Sequence, residues 1–344
     1  MNIDELLAFS VKNKASDLHI SSGMLPMVRI DGEMKKINLP ESTPEEVMEM
    51  THHMMNDYQK AEYAENLTHD FSYQIEGLSR FRINAFQQMR GPSIVARMIP
   101  SKVATMEDLG LGKSFEKMTK FPNGLILVVG VTGSGKSTTI AALMDEINST
   151  QRKHILTIED PIEFVHQSKK CLVQQRELGS NTKSFSSALK VALREDPDVI
   201  LVGEMRDQET IRLALTAAET GHLVFATLHT ASAAKAVNRI IDVFPGSEKS
   251  VVRTMLSESL QAVVSQTLLK RKNGGRVAAH EILFGTSAVR NLIREDKVAQ
   301  IYSSIQSGGN LGMQTMDQSL RKLVDQRIVA PEVAKQMARN PEEF

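Results

Sequence analysis

The chain has 344 residues, enough for about two domains and a sizeable core. Lys+Arg and Asp+Glu each number 41, so the formal net charge is zero, without the basic excess by which nucleic-acid binders meet phosphate. The single cysteine, Cys171, excludes an intramolecular disulfide and a cysteine-built zinc site; no apolar run reaches the roughly 18 residues of a membrane span, and the acidic start Asn2-Ile3-Asp4-Glu5 carries no signal-peptide pattern, so a cytoplasmic protein without direct membrane insertion is expected.

In chain order, residues 4–12 read as a short amphipathic helix and 16–20 as a strand. Residues 27–30 and 33–37 flank Asp31-Gly32, a strong hairpin signal. Residues 44–65 read as one helix, with Thr43 as N-cap and Pro44 at the first helical position. Strands are expected at 71–75, 80–87 and 93–99. The first domain, 1–100, is therefore expected to be α+β with a mainly antiparallel sheet. Gly110, Gly112 and the turn Pro122-Asn123-Gly124 punctuate the next stretch, and 101–122 is expected to be a linker. From 123 to 344 the pattern becomes α/β. Short apolar runs at 125–129, 154–158, 199–202 and 223–228 suit parallel strands covered on both faces, with a helix over 138–147. Beyond residue 247 the chain is expected to be mostly helical, with one strand near 276–284.

Gly130-Val131-Thr132-Gly133-Ser134-Gly135-Lys136-Ser137 fits the P-loop pattern GxxxxGK[ST] and lies between an expected strand and an expected helix. The glycines let backbone N–H groups turn toward phosphates, and the helix N-terminus adds partial positive charge. Gly130, Thr132, Gly133, Ser134, Gly135, Lys136, Ser137 and Thr138 are the expected nucleotide-binding residues. Lys136 is expected to reach the β- and γ-phosphates, and Ser137 to ligate Mg²⁺. The pattern alone does not separate ATP from GTP.

A P-loop enzyme needs an acidic residue at the end of another strand, and Val199-Ile200-Leu201-Val202-Gly203-Glu204 supplies one. Gly203 stands where an Asp is usual, so Glu204 is the acid of that loop and a candidate metal residue. Ile158-Glu159-Asp160-Pro161-Ile162-Glu163 ends the next expected strand with three carboxylates. Glu163 is the candidate base that orients water, and also a candidate for the metal shell; Glu159 and Asp160 are assigned to that shell or to local structure. His222 and His229 bracket the run 223–228. They are candidates to sense the γ-phosphate or to bridge to a neighbouring subunit; the alternative is an ordinary structural histidine. Their separation along a strand argues against a shared metal.

The P-loop, the acidic segment 157–163, the Gly203-Glu204 strand end and the two histidines occur in this order in secretion ATPases. The sequence resembles the type II/IV secretion and pilus motor superfamily. Within it, similarity to the PilT-type retraction ATPases of type IV pili runs over nearly the whole chain. Ala15-Ser16-Asp17-Leu18-His19 is similar to the start of that family's N-terminal domain. Ala288-Val289-Arg290-Asn291-Leu292-Ile293-Arg294-Glu295 resembles its retraction signature, AIRNLIRE, with Val289 for the usual Ile. Val131 stands where many members have Pro.

The resemblance implies a PAS-like N-terminal domain joined to a RecA-like P-loop ATPase domain. It implies a homohexamer that hydrolyses ATP with Mg²⁺ to power pilus retraction and twitching motility. The implied partners are an inner-membrane pilus platform protein and the rest of the pilus machinery, with no nucleic acid; the implied place is the cytoplasm, peripheral to the inner membrane. Arg80 and Arg82 share one face of an expected strand, and Arg97 lies on the next. The resemblance makes Arg82 and Arg97 the nucleotide-facing pair and thus catalytic candidates with Lys136, Glu163 and Glu204. Arg194 and Arg206 rank behind them. On this view ATP ties the two domains together through the arginines and its hydrolysis releases them. Assembly and type II secretion ATPases are disfavoured by the single cysteine and the early N-terminal domain. A DNA translocase is disfavoured by the neutral charge, and a non-catalytic scaffold by the complete P-loop with its two acids.

Overall fold

The computed structural model describes residues 2–30, 32–99 and 102–344; Asp31 of the expected hairpin turn and Pro100 and Ser101 beside the expected linker start lie outside these. The chain divides into two compact units. The first holds the described residues up to 102 together with 160–165 and 177–181, and the second holds 103–159, 166–176 and 182–344.

The first unit contains α1 (Ile3–Lys12), β1 (Asp17–Ser21), β2 (Met27–Ile30), β3 (Glu33–Lys36), α2 (Pro44–Met54), α3 (Asp57–Asn66), β4 (Thr68–Ile75), β5 (Ser79–Gln88) and β6 (Gly91–Ile99). Its six strands form one antiparallel sheet in the order β3-β2-β1-β6-β5-β4. Period-2 alternation sends Phe81, Ile83 and Ala85 of β5 into the core with Leu18, Ile20 and Ile94, where they meet Leu7, Val47 and Met50 of the helices. The helix expected over 44–65 is two helices. Asn56 accepts from Gln59 N–H at 2.9 Å, and the Gln59 side chain accepts from Asn56 N–H at 3.0 Å. That capping box starts a new helix in mid-segment.

The second unit contains α4 (Lys113–Thr119), β7 (Gly124–Val129), α5 (Lys136–Thr150), β8 (His154–Glu159), β9 (Leu172–Glu177, all but its last residue), α6 (Phe185–Ala192), β10 (Val199–Val202), α7 (Gln208–Glu219), β11 (Leu223–Leu228), α8 (Ala233–Asp242), α9 (Lys249–Ser259), β12 (Leu260–Lys270), β13 (Arg276–Phe284), α10 (Ser287–Arg294), α11 (Ile301–Ser307), α12 (Met316–Asp325) and α13 (Pro331–Lys335). The seven-stranded sheet runs β13-β12-β7-β11-β10-β8-β9. Strands β12, β7, β11, β10 and β8 are mutually parallel, and β13 returns antiparallel to β12. Every residue of β7, β10 and β11 is buried, as the apolar runs require for a sheet covered on both faces.

Two expectations change here. Part of the segment expected as linker folds as α4, whose Phe115 and Met118 join the main core. The region beyond 247 contains a second long strand, β12. Helix α9 stops as Leu260 turns to extended backbone, and Val263 and Val264 pack beside β7. Their β-branched side chains suit that buried sheet position.

Candidate functional site

Because β7, β11, β10 and β8 are parallel, their C-terminal ends share one edge of the sheet, the usual place for ligand sites in open α/β folds. Residues 130–135 leave β7 at that edge and lead into α5. Gly130 has φ 153° and leaves no room for a side chain: a Cβ there would lie 2.4 Å from the Gln266 carbonyl oxygen and 2.5 Å from Ser134 Oγ. Gly135 has φ 86°, and its Cβ would lie 2.9 Å from Gln266 Nε2. Both glycines therefore exist because the loop is wrapped tightly onto β12. Gly135 is the N-cap of α5, no side chain caps this helix, and its first turn holds no acid. The N–H groups of the first helical turn and the helix dipole suit an anion.

Lys136 is 8% exposed, with Nζ donating to the Gly130 carbonyl at 2.8 Å and the Val131 carbonyl at 3.2 Å. A buried ammonium held over the loop by weak acceptors can transfer to phosphate oxygens, which bind it more strongly. The buried Ser134 hydroxyl has no hydrogen-bond partner among the described residues. Thr132 is exposed, while Ser137 and Thr138 are half-buried at the start of α5.

Glu204 follows β10 on the same sheet edge. It accepts from Arg206 Nη2 at 2.7 Å, and its other oxygen lies 3.3 Å from His229 Nε2. His229 Nδ1 is 3.4 Å from Thr132 Oγ1. A carboxylate only accepts, so for the neutral ring Nε2 carries the hydrogen and Nδ1 accepts from Thr132. Thus Thr132, His229, Glu204 and Arg206 form one chain from the loop to the neighbouring strand end. Burial pushes the Glu204 carboxyl up, but the Arg206 hydrogen bond and the His229 and Arg206 charges outweigh it and hold it below the usual range.

The glycine in place of the usual Asp has a packing cause. A Cβ on Gly203 would sit 3.1 Å from the Ile158 carbonyl oxygen and 3.2 Å from Glu159 Cα, and Gly203 N–H donates to that carbonyl at 2.7 Å. Thr227 Oγ1 donates to the Gly203 carbonyl. Glu159 accepts from Thr157 at 2.6 Å and Gln175 at 3.2 Å.

His222 does not join this set. It precedes β11, its carbonyl accepts from Gly124 N–H at 3.0 Å, and its Nδ1 lies 3.0 Å from the Ala217 carbonyl oxygen. The whole of β11, about 20 Å at ~3.3 Å per residue, separates it from His229. The two ends of β11 lie at opposite sheet edges, so of the two candidates His229 lies beside this chain's own loop and His222 lies away from it, which leaves His222 the alternatives of a bridge to a neighbouring subunit or a structural histidine.

Glu163, Arg82 and Arg97 belong to the first unit. Arg82 donates to Asp70 at 2.9 Å and lies 3.5 Å from Glu163. Burial pulls its pKa down, but Asp70, Glu163 and Asp160 more than compensate and raise it. Arg97 is paired directly opposite Arg82 across β5 and β6 and donates to Asp17 at 2.8 Å. Arg29, Asp17, Arg97, Arg82 and Ser72 make one cross-strand row. Arg80 bonds the buried Glu177 at 2.5 Å, and Glu177 also accepts from Ser72 at 2.6 Å and Ile162 N–H at 2.9 Å. Sequence reasoning missed Glu177, which fastens 160–165 and 177–181 to β4 and β5. It also missed Gln266, a buried amide in β12, which donates to the Ser134 carbonyl at 2.7 Å.

Mg²⁺ prefers hard oxygen donors and keeps much of its shell for phosphate and water. The Ser137 hydroxyl and Glu204 carboxylate fit that chemistry. Among the described residues no group of three His, Cys, Asp or Glu side chains could hold a metal alone, so a cation here would arrive with phosphates.

The family model for type II/IV secretion system protein matches residues 1–335. The type IV pilus retractation ATPase PilT of Pseudomonas aeruginosa is 61% identical over 344 residues, 100% of both chains. A twitching motility protein of Neisseria gonorrhoeae is 61% identical over 318 residues, 92% of this chain and 85% of that one. A crystal structure of the pilus retraction motor PilT with bound ADP superposes with a TM-score of 0.91 at 46% identity, covering 100% of this chain and 99% of that one. The ATPase DotB of Legionella pneumophila superposes with a TM-score of 0.88 at 27% identity, covering 97% and 94%.

Proposed function

The chain belongs to the type II/IV secretion system protein family, and we propose that it is an ATP-hydrolysing motor that powers type IV pilus retraction. The observation that carries this reading is the phosphate loop, with its uncapped helix start and its poised Lys136, in a chain 61% identical over its full length to a pilus retraction ATPase.

ATP phosphates would take the N–H groups of 130–136, and Lys136 would exchange its loop carbonyls for β- and γ-phosphate oxygens. Ser137 and Glu204 would hold Mg²⁺, which neutralises charge developing on the phosphates. Glu163 is the proposed base that orients the attacking water. Arg82 and Arg97 are proposed to supply positive charge to the γ-phosphate during turnover, a contribution worth roughly 10³–10⁵ in rate for such arginines. His229, through Glu204 and Thr132, would link the loop's state to the strand end.

The finer proposals follow the family: a homohexamer working at the inner membrane with the pilus platform protein, and movement between the two units as the work step. Among the described residues no helix is long and apolar enough to cross a membrane, so attachment would come through partners. Deleting the gene in a piliated bacterium tests the reading. Excess surface pili with lost twitching supports retraction; absent pili would assign the chain to assembly instead.

A further inference from the structure

A cavity of about 520 Å³ opens in the second unit between α4, the β12–β13 turn and α12. Its size lies within the roughly 300–1,000 Å³ of small-molecule sites. Lys113, Arg271 and Lys322 line it, and their side chains make no hydrogen bond or ion pair among the described residues. Glu107 and Asp108 line it too, so the wall carries one net positive charge; Asp108 already accepts from Thr105 N–H at 2.9 Å.

The cavity also reaches His280 of β13, which is 7% exposed and lies edge-on to Phe115 with centroids 4.9 Å apart. His280 Nε2 is 3.1 Å from Gln266 Oε1. The Gln266 amide is oriented by chemistry: the Ser134 carbonyl can only accept, so the NH₂ group faces it at 2.7 Å. Oε1 is then left to accept from Thr139 Oγ1 at 2.8 Å and from His280. His280 therefore carries its hydrogen on Nε2. Burial pushes its pKa down to about 4, so at neutral pH Nδ1 is a lone-pair acceptor. No donor to Nδ1 is present among the described residues. An acceptor in this setting favours a donor, and His280 lines the cavity, from which a bound molecule can supply one.

We propose that this cavity binds a small hydroxylated anion, its anionic group among Lys113, Arg271 and Lys322 and its hydroxyl donating to His280 Nδ1, and that occupancy is felt at the phosphate loop through His280 and Gln266. Two bonded side chains span the distance. Gln266 touches the loop at the Ser134 carbonyl and packs against both Gly130 and Gly135. Any shift of His280 therefore moves a group that shapes the phosphate cradle. The coupling rests on reading that loop as a nucleotide site; the cavity's own chemistry does not.

Calorimetry on the intact chain, first shown to bind ADP and then saturated with it so that the loop is filled, tests the proposal. The two probes are glycerol 3-phosphate and citrate, a phosphomonoester and a hydroxycarboxylate. Binding of either below about 1 mM is expected and names the source of the anion. The triple variant Lys113→Glu, Arg271→Glu, Lys322→Glu should bind that probe at least about tenfold more weakly and keep its ADP affinity. By reciprocity, saturating probe should change the ADP affinity about fivefold or more. No binding of either probe, or binding indifferent to the charge reversal, leaves the cavity to water and overturns the site. An unchanged ADP affinity overturns the coupling, whereas a wild-type chain that never binds ADP overturns the nucleotide reading together with the coupling.

Discussion

Gly203 and His280 show how much a single position can be dictated by its surroundings. Gly203→Asp restores the more common acid, yet its Cβ would press on the Ile158 carbonyl and Glu159 backbone at 3.1–3.2 Å. Backbone cannot yield as a side-chain tip can, so a loss of about 1–3 kcal/mol is expected in urea denaturation. His280 sets a pH dependence. Its folded pKa of about 4 lies below the ordinary value of 6.5, so between those values the unfolded chain binds more protons. Stability therefore falls as pH drops from about 6.5 toward 4, by about 3 kcal/mol from this group. His280→Gln, which keeps a polar group of similar length, should flatten that segment of the stability–pH curve. An unchanged curve would place the acid sensitivity elsewhere. The loop glycines and Lys136 were legible because the P-loop pattern is local. Gln266 and His280 were not, because their partners are distant in sequence and become neighbours only through the pairing of β12 with β7 and β13.

Helix α10 holds residues 288–294 of the segment that resembles the retraction signature, and it separates them by their surroundings. Val289 and Ile293 are fully buried, Leu292 packs at the edge of the core, and Ala288 is exposed. The expected stripe of Val289, Leu292 and Ile293 thus faces the core, as its i, i+3, i+4 spacing required. Arg290, placed outside the stripe, is not a free surface charge. It donates to the Gly285 carbonyl at 2.8 Å and the Ser257 carbonyl at 2.7 Å, and it bonds the Glu258 carbonyl. It thereby fastens the C-terminal end of α9, whose last carbonyls lack helical partners. Arg290→Ala should lower stability by about 1–3 kcal/mol in thermal or urea unfolding. Ala288→Lys should stay within about 0.5 kcal/mol of wild type. If this exposed face serves retraction alone, Ala288→Lys also keeps its ATP turnover and loses twitching; equal loss of both would return the segment to a purely structural role. The strands of the parallel sheet were legible from their unbroken apolar runs. Strand β12 was not, since Leu260 follows a helical pattern with no Gly or Pro between them, and only packing beside β7 decides its state.

Across the whole chain, sequence order and compact units do not coincide. Residues 160–165 and 177–181 belong with the first unit, and buried Glu177 holds both segments by accepting from Ile162 N–H, Ser72, Ser180 and Arg80. Removing it would leave the largely buried Arg80 with the Ser72 hydroxyl in place of a carboxylate, and the Ile162 amide without its acceptor. Glu177→Ala should therefore cost about 3–5 kcal/mol, measured by chemical denaturation, and Glu177→Gln less. A sequence cut near residue 100 could not reveal this, because chain continuity is visible in a sequence and long-range hydrogen bonds are not. The consequence for the proposed motor is that the candidate base Glu163 shares a unit with Arg82 and Arg97, while Lys136, Ser137 and Glu204 share the other. On the proposed mechanism, chemistry that needs both sets couples ATP turnover to mechanical work.

That claim is tested most directly by imaging fluorescent pili in cells whose sole retraction motor is this chain carrying Lys136→Ala. The account predicts filaments that extend and do not withdraw, with withdrawal restored by the wild-type chain. Filaments that withdraw at wild-type speed in the variant would contradict it.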